Sequence, residues 1–464
     1  MPFVDKLTAA AERLAHSIPV APVIIKAKPG RFDDVLHAIR GIAAEGRFLL
    51  RGELEIFPKL RTIPTFNLIA ALLPREWIFD LGEAREVERV FPNKIVHICG
   101  YPTVPPEGVF EYERGAFREP RQFTTTYWTK RVIGADVANR KGYDGTGVKV
   151  AVIDTGVSLT HPATRHMRLD SVMLQVHDEN GHGEHCCATV GGKRVRDERL
   201  SRKIGRDVWT EGMAPNAIVT GIKALGWVIG TGSTDGILKA VELGFSKYRA
   251  DIISMSLGSP STEERPEDDP FYEPMKELTE RGVIVCCAAG NEGPGSNTIS
   301  SPGAMPDVLT VGAYDPITGK VASFSSRGPT NWNDIKPDCI MPGVWIHAPV
   351  VGVLDKAGDN TKQRFSPLSG TCLAGDVDLG GYMIKEAMLG DTVMAFTPSG
   401  FVEDIVIAHW FRGENDVYEI ELEDGTTIQA TPEHKFLVKR GDKFVWVRAD
   451  MLRENDEVVT WLDV

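Results

Sequence analysis

The chain has 464 residues, 42% of them hydrophobic and 25% charged, with a formal net charge of −12 at pH 7. This length exceeds the roughly 100 to 200 residues of one ordinary domain, so two or three domains are expected. No apolar run could cross a bilayer and no basic stretch could neutralise nucleic-acid phosphates, which excludes a membrane-spanning protein and a nucleic-acid-binding protein. Asp5 and Glu12 interrupt what would be the apolar core of a signal peptide, so a cytoplasmic location is expected.

The first segment, residues 1–121, alternates strand-like and helix-like patterns, for example PVIIKA followed by RFDDVLHAIRGIAAE. It ends in GYPTVPPEGVFEYERGAFREPRQ, which is rich in proline, glycine and charge and has no periodicity. Such a composition is typical of a linker. We therefore predict a small α+β region with a boundary near Arg121.

The second segment, residues 122–371, contains short β-branched runs that end in glycine turns, such as VKVAVIDTG, ADIISMSLGS and GVIVCCAAGNEG. Runs that are apolar throughout indicate strands buried on both faces, so the fold class is α/β with a parallel sheet covered by helices. In such sheets the loops at the carboxyl ends of the strands carry the chemistry.

The third segment, residues 372–464, has a different pattern. DVYEIELEDGTTIQAT consists of two strand patterns around Asp424-Gly425, a dipeptide that favours a tight hairpin turn. FLVKRGDKFVWVRA repeats the arrangement around a glycine. These patterns predict an all-β module of antiparallel hairpins.

The seven cysteines are odd in number and include two adjacent pairs, so they do not indicate a disulfide framework. Cys286 and Cys287 continue an apolar strand pattern and are predicted to pack in the core. A metal cluster of His177, His182 and His185 with the nearby cysteines is the alternative use of this region. Glycines flank His182 and no further ligand spacing supports zinc, so we predict neither a metal site nor a cofactor.

Three residues supply parts of a site for acyl transfer. Asp154 ends a predicted buried strand, His182 lies between glycines that permit close backbone approach, and Asn291 follows another strand. A carboxylate can orient and stabilise an imidazolium, a histidine can shuttle a proton, and an amide can stabilise an oxyanion. The nucleophile that would complete this set is absent from the second segment.

The second segment resembles the subtilisin-like serine proteases, the subtilases. The resemblance rests on seven motifs in order: DTGV, GHGEH, SMSLGS, AAGNEG, SFSSRGP, KPDCIMPG and SGT. It implies that Asp154, His182 and Asn291 are catalytic, and that Ser256, Leu257 and Gly258 form the strand that pairs with a peptide substrate. The family usually has Thr in place of Glu184 and Val-Ala-Gly in place of residues 186–188, which puts local packing in doubt.

The same resemblance extends by pattern and position to residues 1–121, which are similar to the pro-domains that assist folding of these proteases and block their site. Relatives often carry calcium, but no calcium site can be assigned from this sequence.

The serine motif of the family, Gly-Thr-Ser-Met-Ala, is interrupted here. Gly370 and Thr371 are followed by Cys372 and the sequence LAGD. From Cys372 onward the chain resembles the amino-terminal part of an intein, the element that excises itself in protein splicing, on the basis of CLAGD, GDTVMAF and ATPEHKFLV. The resemblance implies that Cys372 attacks the carbonyl of Thr371 to form a thioester, since cysteine is the most capable nucleophile near neutral pH.

The ATPEHKFLV motif contains the Thr-x-x-His pattern of inteins. By that resemblance, Thr431 positions the strained peptide and His434 protonates the departing nitrogen. The carboxyl-terminal intein motif is absent, so we expect a split intein whose partner chain carries the rest of the intein and the serine-containing end of the protease.

Three alternatives remain open. The chain could be a truncated reading frame of an intein-containing subtilase. It could be an inactive pseudoprotease that binds peptides through the Ser256 strand. It could also be a thiol protease that uses Cys372 beside His182, although Met-Ala does not follow the cysteine.

Overall fold

The computed structural model describes residues 6–17, 20–45, 60–99, 124–226, 230–352 and 364–371, and short segments between 392 and 458. The chain divides into two compact units, Met1–Gly375 and Asp376–Val464. Cys372, Thr431 and His434, the three residues predicted for splicing, lie outside the described residues. Within the described ranges, no helix combines the length and the apolar character that a membrane crossing requires.

The amino-terminal part of the first unit is a four-stranded antiparallel sheet with helices. The strand order is β2-β3-β1-β4. Its elements are α1 (Ala9–Ser17), β1 (Val20–Ala27), α2 (Phe32–Glu45), β2 (Leu60–Ile63), β3 (Leu68–Pro74), α3 (Arg75–Glu83) and β4 (Val87–Pro92). Alternate apolar residues of β1 and β3, including Val23, Ile25 and Ile69, pack with the helices in one core.

The central sheet of the first unit has seven strands in the order β18-β17-β15-β13-β7-β11-β8. All neighbouring pairs in this sheet are parallel, which confirms the predicted parallel sheet. The strands are β7 (Lys149–Asp154), β8 (Arg168–Ser171), β11 (Ile218–Lys223), β13 (Ile252–Met255), β15 (Ile284–Ala288), β17 (Leu309–Tyr314) and β18 (Cys339–Pro342).

Both faces of the central sheet are buried, as the apolar runs indicated. In β7, Ala151 and Ile153 belong to one apolar cluster, whereas Val150 and Val152 belong to another. This alternation follows from the two-residue period of a strand. The longer helices near the sheet are α6 (His182–Gly191), α8 (Thr234–Glu242), which a π-helical turn (Leu243–Lys247) continues, and α9 (Tyr272–Glu280).

A second, antiparallel sheet has the order β12-β5-β14-β16. It joins β5 (Ile95–Ile98), from the amino-terminal part, to β12 (Thr231–Ser233), β14 (Leu257–Pro260) and β16 (Ser300–Ser301). The hairpin of β19 (Ile346–Pro349) and β20 (Phe365–Leu368) leads to Thr371. The remaining elements are β6 (Thr124–Thr125), α4 (Thr126–Val132), α5 (Ala135–Arg140), β9 (Val195–Arg196), α7 (Glu198–Ile204) and β10 (Trp209–Thr210).

The described segments of the second unit are antiparallel strand pairs. β21 (Thr392–Thr397) pairs with β22 (Gly400–Ile405), and β23 (Tyr418–Glu421) pairs with β24 (Thr427–Ala430). β25 (Lys435–Arg440) pairs with both β26 (Lys443–Arg448) and β27 (Glu457–Val458). The predicted turn at Asp424-Gly425 falls between β23 and β24, outside the described residues.

Candidate active site

Three of the predicted site residues lie at one edge of the central sheet. Asp154 ends β7, Ser256 follows β13, and Asn291 comes shortly after β15. Because these strands are parallel neighbours, their carboxyl ends meet at the same edge. The loops that follow these strands therefore converge where the sequence predicted the chemistry.

Asp154 and His182 form a buried hydrogen-bonded pair. His182 Nδ1 lies 2.7 Å from Asp154 Oδ1, and both side chains are buried. A carboxylate only accepts, so Nδ1 carries the proton and Nε2 is left as the base. Burial by itself lowers the pKa of His182, but the charge of Asp154, its hydrogen bond and the charge of Asp178 outweigh burial and raise that pKa above its ordinary value.

The turn before α6 fixes the position of His182. Asp178 Oδ1 accepts hydrogen bonds from the backbone N–H groups of Asn180 and Gly181, each at 2.9 Å, and its Oδ2 accepts one from Glu184 N–H at 2.7 Å. The Asn180 and Gly181 donors lie in the turn that leads into the helix, and Glu184 N–H belongs to the first helical turn, where N–H groups lack helical partners. A Cβ at Gly183 would overlap the carbonyl oxygen of Gly156, so only glycine lets the helix approach the Asp154 loop this closely.

A buried lysine lies beside this pair. Lys223 ends β11 directly opposite Asp154, and its Nζ donates to the carbonyl oxygen of Thr155 at 2.9 Å. Burial lowers the pKa of Lys223, while the carboxylates of Asp178, Glu179 and Asp154 act to raise it. The ammonium group thus supplies positive charge among buried carboxylates.

Asn291 and Thr371 form the other side of the site. Thr371 N–H donates to Asn291 Oδ1 at 3.2 Å, and Gly290 N–H donates to Thr371 Oγ1 at 3.2 Å. Asn291 Nδ2 is buried and has no hydrogen-bond partner among the described residues. An unpartnered buried amide donor suits an oxyanion that forms only during a reaction.

The strand predicted to bind substrate is paired with residues of the same chain. β5 lies antiparallel to both β12 and β14, with Leu257 opposite Ile98 and Gly258 opposite His97. Cys99 N–H donates to the carbonyl oxygen of Ser256 at 2.8 Å. An extended segment therefore occupies the sheet edge where a peptide would add as a strand.

Comparison with known proteins identifies the family of this chain. The sequence profile described as "Subtilase family" matches residues 145–375. Subtilisin Savinase of Lederbergia lenta is 32% identical over 250 residues, which cover 53% of this chain and 79% of that protein. The chain belongs to the subtilase family.

Two further relatives show how much of the chain is similar to known proteases. The serine protease AprX of Bacillus subtilis is 34% identical over 267 residues, or 53% of this chain. The membrane-bound transcription factor site-1 protease of Mus musculus is 29% identical over 274 residues, 56% of this chain and 22% of that protein. The chain spans 58% of the length of AprX.

The first departure from the usual subtilase motif, Glu184, lies in a buried polar network. Its Oε2 accepts from Ser158 N–H at 2.7 Å, and its Oε1 lies 2.6 Å from Thr164 Oγ1, which in turn is 3.0 Å from Ser158 O. Burial raises the pKa of Glu184 to about 8. When Glu184 is protonated, its hydroxyl can donate to Thr164 Oγ1, which leaves the hydroxyl proton of Thr164 for the carbonyl oxygen of Ser158.

The second departure from the subtilase motif, Cys186, lies beside His182. Cys186 Sγ is 3.8 Å from Nδ1 and 4.0 Å from Nε2 of His182. The alternative cluster of three histidines is not assembled, since His185 Nε2 lies 2.8 Å from the carbonyl oxygen of Ile346 and His177 is exposed.

Sequence reasoning did not single out Asp178 or Lys223. A lysine that ends an otherwise apolar strand, as in NAIVTGIKALG, was the available signal for Lys223. Asp178 carried a weaker signal, an acidic residue four positions before the histidine of the GHGEH motif.

Proposed function

We propose that this chain is the precursor of a subtilisin-like serine endopeptidase that acquires its nucleophile when a serine is joined to Thr371. The observation that carries the proposal is the assembly of the Asp154–His182 pair and the Asn291 amide, with Thr371 held on Asn291. The residue after Thr371 is where the family motif has its serine. This chain has Cys372 there instead.

In the completed enzyme each residue has a defined task. The serine hydroxyl transfers its proton to His182 Nε2 as its oxygen attacks the substrate carbonyl. Asp154 stabilises the imidazolium that forms, and Asn291 Nδ2 donates to the oxyanion. His182 then gives the proton to the leaving amine, which completes acylation.

The serine would arrive by protein splicing. Cys372 Sγ attacks the carbonyl carbon of Thr371, the bond from that carbon to the Cys372 nitrogen breaks, and His434 protonates the nitrogen. Thr431 positions the peptide for this step. The acyl group would pass to a serine that begins the downstream flank on a partner chain, and the final peptide bond would rebuild the protease motif.

We also propose that the amino-terminal region is a pro-domain whose β5 strand occupies the substrate site. The β5 strand pairs with β14 and is followed by Cys99. The Cys99 N–H donates to the carbonyl oxygen of Ser256, at the sheet edge that carries the candidate site. The first candidate for processing is therefore the bond between Cys99 and Gly100. A peptide substrate would take the place of β5 between β12 and β14.

Thiol treatment of the purified chain tests the splicing part of the proposal. With dithiothreitol, intact-mass spectrometry should show a fragment that ends at Thr371, because thiol intercepts the thioester. Cys372→Ala should give no such fragment. A chain that stays intact in both samples would favour a truncated reading frame or the peptide-binding pseudoprotease over an intein half that reacts without its partner chain.

Labelling with a fluorophosphonate tests the protease part. The product joined to a downstream Ser-Met-Ala segment should be labelled at the new serine, and His182→Ala should abolish this labelling. The present chain alone should be neither labelled nor cleaved after Cys99. Cleavage there without the added serine would contradict the proposed order of maturation.

A further inference from the structure

Lys94, the residue immediately before β5, is bound by a carboxylate of the subtilase part of the chain. Its Nζ lies 2.5 Å from Glu263 Oε1 and 3.0 Å from Thr262 Oγ1. The side chain of Lys94 is 23% exposed and that of Glu263 only 2%. The backbone is held as well, because the carbonyl oxygen of Lys94 accepts from Thr234 N–H at 3.0 Å. The lysine therefore enters a mostly buried acidic site beside the start of β5.

A second buried carboxylate, Asp269, belongs to the same site. Burial and the charge of Glu263 raise the pKa of Asp269 to about 6, while the charge of Lys94 acts to lower it. Local backbone groups hold both carboxylates: Thr262 N–H donates to Glu263 Oε2 at 3.1 Å, and Phe271 N–H donates to Asp269 Oδ1 at 2.9 Å. Two buried carboxylates that influence each other in this way favour a cation beside them.

The acidic site has a defined position along the strand that a substrate would replace. In the proposed function, a peptide takes the place of β5 and is cut at the bond that corresponds to Cys99–Gly100. Lys94 is the sixth residue on the amino-terminal side of that bond. The antiparallel pairing of β5 with β12 and β14 sets the register of the residues between them. A peptide bound in the same register would therefore place its sixth residue beside Glu263.

We propose that Glu263 and Asp269 form a specificity-determining subsite for a lysine or arginine side chain, six residues before the cleaved bond of a peptide substrate. This rests on the proposed protease function and adds a chemical class of substrate to it. A basic side chain would take over the position of the Lys94 ammonium. An apolar or acidic side chain would leave the two carboxylates without that positive charge, which weakens binding. Lys94 is then the chain's own ligand for the subsite.

Hydrogen–deuterium exchange of the present chain tests the subsite without any proteolysis. The N–H groups of Ile98 and Cys99 donate to backbone carbonyls of the subtilase part of the chain, so their exchange reports release of β5. Lys94→Met should speed this exchange by about tenfold, whereas Lys94→Arg keeps the charge and should stay near the wild-type rate. Lys28→Met, at an exposed position of the amino-terminal region, is the matched control.

A double substitution shows whether Glu263 is the partner that matters. Glu263→Gln alone should also speed the exchange of Ile98 and Cys99. Adding Lys94→Met to it should have little further effect, because both substitutions remove the same ion pair. Exchange at the wild-type rate in Lys94→Met, or fully additive effects of the two substitutions, would overturn the subsite.

Peptide cleavage by the completed enzyme gives the corresponding test on substrates. A peptide with the sequence of residues 92–102 should be cleaved with about tenfold higher kcat/KM than the same peptide with methionine in place of its lysine. Glu263→Gln should remove this preference. Equal kcat/KM for the two peptides with unsubstituted Glu263 would overturn the subsite. Failure to cleave either peptide would count against the proposed protease function alone, and the exchange measurements would still decide the subsite.

Discussion

The two sides of the candidate active site are held in different ways. On one side, Asp154 and His182 are fixed by buried charges, by the turn at Asp178 and by Lys223. On the other side, Thr371 is held by two backbone N–H contacts with the 290–291 loop, and Asn291 keeps an amide donor without a partner among the described residues. In the proposed enzyme, the proton-transfer side is thus built by the present chain, whereas the nucleophile side would depend on the residue that is joined to Thr371.

The largest expected effect comes from the proton-transfer side. In the completed enzyme, Asp154→Asn should lower kcat by about 10⁴-fold, because the asparagine amide favours the wrong tautomer of the imidazole. Steady-state kinetics of the spliced product, with Lys320→Met as an exposed control, measures this loss. A loss of only a few-fold would mean that Asp154 does not orient His182.

Asp154→Asn should also shift the pH titration of His182. This shift can be measured in the present chain, which lacks the serine. Because Asp154 raises the pKa of His182, Asp154→Asn should shift the histidine titration to lower pH in nuclear magnetic resonance spectra of the present chain. In the wild type, the stabilisation from charged His182 is complete below the ordinary histidine pKa and is lost as pH rises through the raised value. An unshifted His182 titration in the variant would contradict the buried pair.

The next effect concerns the nucleophile side. Asn291→Ala should lower kcat of the completed enzyme by about 10²–10³-fold with little change in KM, since the amide acts on the transition-state oxyanion. Asn331→Ala, on an exposed loop, is the control and should leave kcat unchanged. A rise in KM with unchanged kcat would show instead that Asn291 contributes to substrate binding.

Replacing Lys223 tests whether its buried charge stabilises the fold around Asp154 and Asp178. Lys223→Met should lower the free energy of unfolding by about 3 kcal/mol, because it leaves nearby buried carboxylates without a compensating charge. Chemical denaturation of the present chain measures this change, and the exposed Lys320→Met should be close to neutral. Equal stability of the two variants would show that Lys223 does not compensate Asp154 and Asp178.

The fold and the chain order of the site follow from local pattern, but the charge network does not. Apolar runs identified β7, β13 and β15; Asp154 ends β7, and Ser256 and Asn291 follow β13 and β15. The register that puts Lys223 opposite Asp154 depends on which strands become neighbours, and no local pattern specifies that.

Glu184 is a second example of a property that local sequence pattern does not specify. From the motif it was only a departure from the usual threonine, with an uncertain effect on packing. Burial raises the pKa of Glu184, whereas the hydrogen bonds with Thr164 and Ser158 act to lower it. Burial and both hydrogen bonds arise only in the folded chain, so sequence spacing could not reveal the raised pKa.

Below about pH 5, Glu184→Gln should give the smallest effect of these substitutions, and its pH dependence is the sharpest test of the Glu184 network. The glutamine amide can donate to Thr164 and accept from Ser158, as a protonated glutamic acid does, so stability below about pH 5 should change little. In the wild type the pKa of Glu184 is about 8, above its unfolded value, so the native state holds an extra proton between these two values. Stability should therefore fall by about 1.4 kcal/mol per pH unit as pH rises through that window, and Glu184→Gln should remove this slope. Denaturation curves from pH 5 to 9 measure it, and parallel curves for the two proteins would mean that Glu184 is ionised in the fold.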